Sequence, residues 1–196
     1  MELLRTPRLL LRHWEDADLP AFFDLYSRAE VIRWLGPHPR RALASRAEAR
    51  ERMARWRDRG RGLQPPLGLW AIVPLTPDGG PVARRPAGTV VLMPLEDDSG
   101  PTGLIEIGWH LHPDYQGRGL VTEAAAAIMA EAAKSGIEQV LALTDLDNVR
   151  SQAVAARLGM RDEGTTDRWF GLVTRQFRKV FARTSQDGSA PPRAAG

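Results

Sequence analysis

The sequence predicts an α/β protein whose helices pack around one mixed sheet. Apolar runs of strand length alternate with segments of helical periodicity, in the order strand, two helices, three strands, helix, strand, helix and strands. The chain has 196 residues, of which 43% are hydrophobic and 26% charged, as in an ordinary globular protein. We expect a single domain over residues 1–183 and a disordered tail over residues 184–196, which are polar, small and Pro-containing.

Composition excludes several classes of protein. With no Cys, the chain has no disulfide framework, thiolate nucleophile or Cys-based zinc site. No apolar run is long enough to cross a bilayer, and the start lacks the features of a signal peptide. We therefore expect a cytoplasmic protein with no membrane partner. The net charge is +3, and its cations are nearly all Arg, which indicates codon bias on a solvated surface or an anionic partner.

The first third of the chain predicts one strand followed by two helices. Residues Arg8 to His13 read RLLLRH, a short apolar strand. The segment LPAFFDLYSRA, which begins at Leu19, has apolar residues at helical spacing. Ser45 and Glu48 are three residues apart, the spacing of a capping box, and predict a second helix that runs to about Trp56.

The middle of the chain predicts three strands. The runs Leu69–Leu75 and Ala87–Leu95 are rich in β-forming residues, and TPDGGPVARRP between them is typical of a loop or hairpin connection. The segment EDDSGPTG predicts a turn. The third run, LIEIGWHL at Leu104–Leu111, alternates weakly and predicts a central strand.

The last third predicts two helices and two strands. The Ala-rich segment Gly119–Ser135 has one apolar face and ends before Gly136, a typical C′ residue. The run QVLALT at Gln139–Thr144 predicts a buried strand. A shorter helix over Asn148–Leu158 follows, and the alternating segment Thr174–Phe181 predicts a final strand.

The segment YQGRGLVTEAA has the clearest chemical meaning. It follows a strand and opens a helix, so its consecutive N–H groups can surround phosphate oxygens, with Gly117 and Gly119 allowing close approach and Arg118 adding positive charge. The alternative is a Gly-containing turn without a ligand. A Walker loop is excluded because the chain has no Gly-Lys pair, and the dinucleotide fingerprint is excluded because Thr122 stands where it needs Gly or Ala.

A second segment, LDNVRSQAVAARLGM, follows the strand QVLALT and has Asn148 and Ser151 at the spacing of a helix cap. Paired with the earlier QGRGLV, it resembles the GNAT superfamily of N-acyltransferases. The acyl-CoA signature of that family is Gln or Arg, two residues, Gly, one residue, then Gly or Ala. The corresponding residues here are Gln116, Gly117, Arg118, Gly119, Leu120 and Val121, of which Val121 departs from the pattern but keeps its N–H.

The resemblance extends from about Thr6 to Phe181. The stretches TPRLLLRHWEDADLPAFFDLYSRAEVIRWLG, IEIGWHLHPDYQGRGLVTEA and NVRSQAVAARLGM look like the ribosomal-protein N-terminal acetyltransferase branch (RimJ/RimL-like). It implies a GNAT-like fold: a mixed, mostly antiparallel central sheet flanked by helices, with LIEIGWHL and QVLALT splayed at the acyl-CoA site. It also implies acetyl-CoA as co-substrate and a primary amine as acceptor, either a ribosomal or other protein N-terminus or a small molecule, which attacks directly in a ternary complex.

The resemblance also implies residue roles. Glu106 is the candidate general base, directly or through water, and a structural carboxylate is the equal alternative. The Leu111 N–H is the candidate donor to the thioester carbonyl, and Ser151 either protonates the leaving thiolate or orients it. Relatives often have Tyr where Ala155 stands, so this helix supplies no tyrosine acid. The residues expected to bind acyl-CoA are Leu111, Gln116, Gly117, Arg118, Gly119, Leu120, Val121, Asn148 and Ser151.

Aromatic and basic residues suggest where the acceptor binds. We expect Trp34, Trp109 and His110 to line its pocket. His110 and His112 share a strand face but have no evident third ligand, so we expect no metal. Residues 40–61 contain nine Arg, which form a solvated helix face or recruit an acidic acceptor or RNA. Two further functions stay open: a non-catalytic acyl-CoA sensor, and an RNA-binding module that uses the Arg-rich helix.

Overall fold

The computed structural model of the protein describes residues 2–76 and 85–182, and its centre is an eight-stranded sheet. The strands are β1 Glu2–Arg5, β2 Leu9–His13, β3 Gly68–Pro74, β4 Gly88–Asp97, β5 Gly100–Leu111, β6 Gln139–Thr144, β7 Arg161–Trp169 and β8 Leu172–Val180. Their order is β1-β2-β3-β4-β5-β6-β8-β7, and every neighbouring pair is antiparallel except β5 and β6. The predicted mixed, mostly antiparallel sheet is confirmed.

Helices cover both faces of the sheet. They are α1 Leu19–Tyr26, α2 Ala29–Ile32, α3 Arg46–Gly60, α4 Leu120–Lys134 and α5 Val149–Arg157. Strand residues alternate between two cores, as period-2 patterning requires. Leu9, Leu11 and Ile72 pack with α4, whereas Leu10 and Ala71 pack with the first three helices. The site described below lies where these layers meet at one end of β5.

The N-terminal half departs from the predicted elements in two places. The helix predicted over LPAFFDLYSRA ends early, at Tyr26, and an unpredicted short helix, α2, begins at the last residue of that segment, because Arg28 between them is extended, with φ −87° and ψ 120°. The helix predicted from Ser45 is present: the Ser45 hydroxyl accepts from the Glu48 N–H at 3.2 Å. The Glu48 carboxylate accepts from the N–H of Ala44 at 3.0 Å, so the capping box is only partly formed.

The predicted turn EDDSGPTG is mostly strand. β4 continues to Asp97 and β5 begins at Gly100, which leaves a two-residue hairpin turn. The Asp97 carboxylate accepts from the Ser99 N–H at 2.9 Å and stabilises this turn. The connection TPDGGPVARRP falls largely on residues 77–84 and the tail on 184–196, both outside the described residues.

The parallel pair β5 and β6 creates the gap that positions the site. The two strands share one registered pair, Glu106 with Leu141, whereas β4 and β5 stay in register along most of their length. β6 then continues to Thr144 and β5 to Leu111 on either side of an open wedge. This arrangement agrees with the predicted splay of the two central strands.

Candidate active site

A cleft opens in the wedge between β5 and β6. Its walls come from both strands, the segment after α2, the start of α5 and the β7–β8 hairpin. Of the predicted site residues, it contains Trp34, Glu106, Trp109, His110, Asn148 and Ser151. The structure therefore brings together the predicted base, the predicted acid and the predicted acceptor pocket, from chain positions more than a hundred residues apart.

Glu106 lies at the only registered pair of β5 and β6 in the described structure, where the wedge begins. Burial raises the pKa of its carboxyl to about 7, and the nearby Arg59 opposes this rise. A carboxylate with a pKa near neutral pH is half-ionised under working conditions and is suited to accept a proton. A Cβ added to Gly108 would lie 3.9 Å from the Glu106 carboxylate, so the missing side chain leaves room above the base.

His110 shares the face of Glu106 on β5 but has a different protonation behaviour. Burial, together with Arg52, lowers the pKa of the imidazole to about 4, so it is neutral at pH 7. Its Nδ1 lies 2.9 Å from the hydroxyl of Tyr26, which is 2.6 Å from the Thr89 hydroxyl. Burial also raises the pKa of Tyr26, which keeps this phenol protonated. Because a pKa of about 4 makes His110 a weak base, Glu106 is the better proton acceptor.

The end of β5 directs the backbone of Leu111 into the wedge. The N–H of His112 donates to the carbonyl of Ala87 at 2.8 Å. Because hydrogen bonding alternates along an antiparallel ladder, the N–H of Leu111 points away from β4 and toward β6. A Cβ on Gly88 would lie 2.1 Å from the His110 carbonyl oxygen, so only glycine allows β4 to approach β5 here.

The signature loop has the backbone geometry that a phosphate cradle needs. Gly117 and Gly119 have φ of +76° and +73°, left-handed values that favour glycine, and Gly119 is the N-cap of α4. The first intrahelical bond runs from Glu123 N–H to Gly119 O, so the N–H groups of the first turn have no intrahelical acceptor. The side chains of Leu120 and Val121 are buried, so these two residues offer only their backbone N–H groups to a ligand.

A partly exposed hydrogen-bond network fixes this loop to the start of the sheet. The Arg8 side chain donates to the Glu123 carboxylate at 2.6 Å and to the Arg118 carbonyl at 2.9 Å. The Thr6 hydroxyl also donates to Glu123. Burial alone would raise the pKa of Glu123, but the hydrogen bonds from Thr6 and Arg8 together lower it below its ordinary value. Sequence reasoning missed Arg8 and Glu123 as supports of the loop, although both lie inside the segments that carry the family resemblance.

A second contact connects the cradle to the cleft. Arg150 on α5 donates to the Gln116 side-chain oxygen at 2.6 Å. The Asn148 side chain caps α5 by accepting from the Ser151 N–H at 3.2 Å, as predicted. Ser151 and Asn148 line the cleft, and Gln116 lies at the cradle, so the start of α5 spans both parts of the site.

Two hydroxyls in the cleft lack protein partners. Thr144 at the end of β6 and Thr174 on β8 are each more than nine-tenths buried, and within the described part of the chain neither hydroxyl has a hydrogen-bond partner. Both line the cleft. Buried polar atoms are normally paired, so these two are available to a ligand or bound water. Neither residue was predicted.

An ion pair fastens the acceptor side of the cleft. Arg40 binds both carboxylate oxygens of Asp145, one of them at 2.9 Å, and also donates to the Gly36 carbonyl at 2.8 Å. Its side chain is only 7% exposed. The segment it holds carries Trp34 into the cleft. We call this contact the Arg40–Asp145 clamp; no local sequence pattern predicts it, because the partners are 105 residues apart.

The turn between β7 and β8 places Phe170 at the cleft with a φ of +58°. Gly171 follows with a φ of +63°, so both turn residues are left-handed, as in a type I′ hairpin. That turn favours Asn-Gly, and a bulky residue in the first position is strained. The strain coincides with a wall of the cleft, which indicates a functional reason for Phe170.

A helix N-terminus with left-handed glycines, next to a cleft that contains a carboxyl of raised pKa, is typical of a group-transfer enzyme with a phosphate-bearing co-substrate. Residues 8–161 match the family described as acetyltransferase (GNAT) domain. The chain therefore belongs to the GNAT family, and the predicted family, fold and enzyme class, an acetyl-CoA-dependent N-acetyltransferase, are confirmed. An uncharacterised N-acetyltransferase, YnaD of Bacillus subtilis, is 38% identical over 60 residues, which are 30% of this chain and only 35% of YnaD.

Solved structures show the same fold over nearly the whole chain. A GNAT-family acetyltransferase from Bacillus anthracis has a TM-score of 0.70 and 20% identity and covers 92% of this chain and 98% of its own. RimL, a ribosomal L7/L12 α-N-protein acetyltransferase solved with coenzyme A, has a TM-score of 0.71 and 18% identity. The match covers 93% of this chain and 99% of the RimL chain. An acetyltransferase from Salmonella typhimurium that modifies the N-terminal serine of L7/L12 has a TM-score of 0.70 and 19% identity. The match covers 93% of this chain and 100% of the Salmonella chain.

Two further observations concern residues 2–76 and 85–182 alone. No helix there is long and apolar enough to cross a membrane. The same residues contain no group of three His, Cys, Asp or Glu side chains placed to hold a metal ion.

Proposed function

We propose that the protein acetylates the N-terminal amine of a polypeptide, with acetyl-CoA as co-substrate and Glu106 as the general base. The observation that carries the proposal is the placement of Glu106: a carboxyl with a pKa raised to about 7 at the apex of the wedge, on the strand that leads into the phosphate cradle. RimL and the Salmonella enzyme, which act on a ribosomal protein N-terminus, support the polypeptide acceptor over a small amine.

The residues present fit the co-substrate. The first-turn N–H groups of α4 and the left-handed glycines Gly117 and Gly119 suit a pyrophosphate, and Arg118 adds a cation beside them. The cradle leads to the wedge, which has the Leu111 N–H at the end of β5 on one side and the hydroxyl of Ser151, on the first turn of α5, on the other. Acetyl-CoA supplies a thioester whose carbonyl carbon is open to attack by an amine.

The chain's own groups then move two protons. Glu106 accepts one from the acceptor amine, directly or through water, as the new C–N bond forms. The N–H of Leu111 donates a hydrogen bond to the carbonyl oxygen, where negative charge develops. Ser151 donates a proton to the departing thiolate as the C–S bond breaks, or it orients the sulfur while water protonates it. With Ala155 buried on α5, that helix offers no tyrosine for this step.

An acceptor screen tests the proposal. The protein is incubated with acetyl-CoA and short peptides with free N-termini, matched N-acetylated peptides, free amino acids, a polyamine and an aminoglycoside, and thiol release is followed. We expect turnover with free N-termini and none with the blocked ones. Turnover of only the small amines would contradict the polypeptide acceptor. Binding of acetyl-CoA without turnover on any acceptor would favour the non-catalytic sensor.

A further inference from the structure

Helix α3 lies over the acceptor side of the cleft and touches it through Trp56. The Trp56 ring centroid is 5.2 Å from that of Tyr26 and 6.2 Å from that of His110, a residue of the cleft wall. The aromatic contact fixes which face of α3 is turned toward the site. Residues three or four positions from Trp56 on the helix share that face.

Two arginines occupy those positions. Arg52 is four residues before Trp56 and Arg59 is three after it, so both lie along one flank of α3. Within the described residues neither guanidinium has a carboxylate partner, whereas Arg57, on the other flank, pairs with Asp16. Both charges reach the site: burial is the main cause of the low pKa of His110 and Arg52 adds to it, whereas Arg59 opposes the rise that burial causes in the pKa of Glu106.

Building on the proposed function, we propose that Arg52 and Arg59 select acceptors that carry acidic side chains close behind the amine to be acetylated. Seven residues of helix separate the two arginines by about 10 Å along the axis. An extended peptide advances about 3.4 Å per residue, so this separation matches two carboxylates about three residues apart. The acceptor class is therefore an acidic polypeptide N-terminus.

The same charges help the chemistry. An acceptor amine must lose its proton before attack, and a positive environment favours the neutral amine over the ammonium form. Nucleic acid fits this surface less well, because Trp56 is the single aromatic residue among residues 40–61 and its ring is packed against Tyr26 and His110. Base stacking needs an aromatic face that is free.

The test compares peptides and matched variants. Peptides with Asp at the second and fifth positions are compared with Asn and Lys versions of the same sequence. The double variant Arg52→Gln/Arg59→Gln is compared with Arg46→Gln/Arg50→Gln, which removes the same charge from exposed positions on the opposite flank of α3. An exposed ion pair changes affinity by about 1.5- to 5-fold. We therefore expect the wild type to prefer the Asp peptide over the Asn peptide by about 2- to 25-fold in kcat/KM, mostly through KM.

The ratio of kcat/KM for the Asp peptide to that for the Asn peptide is expected to fall toward one in Arg52→Gln/Arg59→Gln. The same ratio is expected to stay at its wild-type value in Arg46→Gln/Arg50→Gln. Raising the ionic strength from about 0.05 M to about 0.5 M is expected to weaken it in wild type, since screening shortens the reach of exposed charges. Equal kcat/KM for the Asp and Asn peptides, or an equal loss in both double variants, would overturn the proposal while leaving acetylation intact.

Binding is measured in parallel, by fluorescence anisotropy of labelled peptides with coenzyme A present, so that failure of the proposed function is separable. If no peptide is acetylated but the Asp peptide binds and loses affinity only in Arg52→Gln/Arg59→Gln, the acidic-peptide site stands and the enzymatic proposal fails. A labelled single-stranded RNA that binds more tightly than the Asp peptide, and through the same two arginines, would overturn the proposal in favour of nucleic acid.

Discussion

Replacement of Glu106 by Gln is expected to stabilise the protein at alkaline pH while removing most of its activity. The pKa of Glu106 rises from an ordinary 4.5 to about 7 on burial, so the ionised form costs the folded state about 3 kcal/mol. Because the folded state binds this proton more tightly than the unfolded state, stability falls as pH rises from 4.5 to about 7. The cost is complete above that interval and absent below it.

Because ionised Glu106 destabilises the folded state, its replacement by Gln is expected to raise the free energy of unfolding at high pH. Gln carries no charge, so at about pH 8 the variant is expected to gain up to about 3 kcal/mol, reduced by any amide hydrogen bond that the site leaves unmade. At about pH 4 the two proteins are expected to have the same stability, since Glu106 is then protonated in both states. Denaturant titrations at the two pH values measure the difference.

The turnover rate of Glu106→Gln is expected to fall, although its stability rises. Loss of a positioned base typically slows a reaction by about 10²- to 10⁴-fold, while acetyl-CoA affinity should not change. The wild-type rate is expected to rise with an inflection near pH 7, where Glu106 ionises, and the variant to lack this inflection. The defect should shrink at high pH because the fraction of free amine grows without help.

A matched control and two contrary outcomes make this test decisive. Glu96→Gln removes a carboxylate from an exposed position on the neighbouring β4 and is expected to leave both rate and stability near wild type. A Glu106→Gln protein that is less stable at every pH and turns over normally would make Glu106 a structural carboxylate. A stable variant with wild-type rates across the pH profile would leave water as the proton acceptor.

Three further substitutions test the cradle, the clamp and the strained turn. Acetyl-CoA is expected to raise the Tm of wild type but not of Gly119→Pro, because Pro deletes an N–H and cannot adopt a φ of +73°. Arg40→Gln is expected to cost no more than about 3 kcal/mol, since Asp145 is partly exposed, and to raise the acceptor KM; Arg40→Lys should restore part of both. Phe170→Asn is expected to gain about 1 kcal/mol in stability and to weaken acceptor binding.

Controls for these substitutions come from the same chain. Gly62→Pro places Pro at another left-handed glycine, far from the cradle in sequence, and should keep the acetyl-CoA shift. Arg41→Gln removes the exposed neighbour of Arg40 and should leave KM unchanged. An acetyl-CoA shift that survives in Gly119→Pro would count against the cradle. Unchanged KM in Arg40→Gln or Phe170→Asn would remove that residue from acceptor binding.

Elements with strong local signals were predictable from sequence. The run QVLALT has the observed bounds of β6, Gln139–Thr144, because a continuous apolar segment between turn residues has few alternatives. α4 begins after Gly119 and ends just before Gly136, whose φ is +86°, as helix-end chemistry requires. The loop and the helix cap of the site lie within such segments, which explains why they were found.

The two strands that sequence analysis missed are the two edges of the sheet. β1 and β7 each pair with one neighbour only, and both are weakly covered: of the nine residues of β7, only Trp169 is buried. An edge strand needs less apolar patterning than a central one, so a segment such as RDEGTTDRW has no period-2 signal. Pairing with β8 determines its conformation.

Four residues whose features cost stability meet at the cleft. Glu106 is destabilised when ionised, Thr144 and Thr174 bury hydroxyls without a partner, and Phe170 has a left-handed backbone. None of these would be favoured by folding alone, and each has a local replacement that would relieve the cost. All four residues line one cavity, next to the cradle that the sequence predicts. Selection for stability would remove such features one by one, so their coincidence indicates that a bound ligand compensates for them.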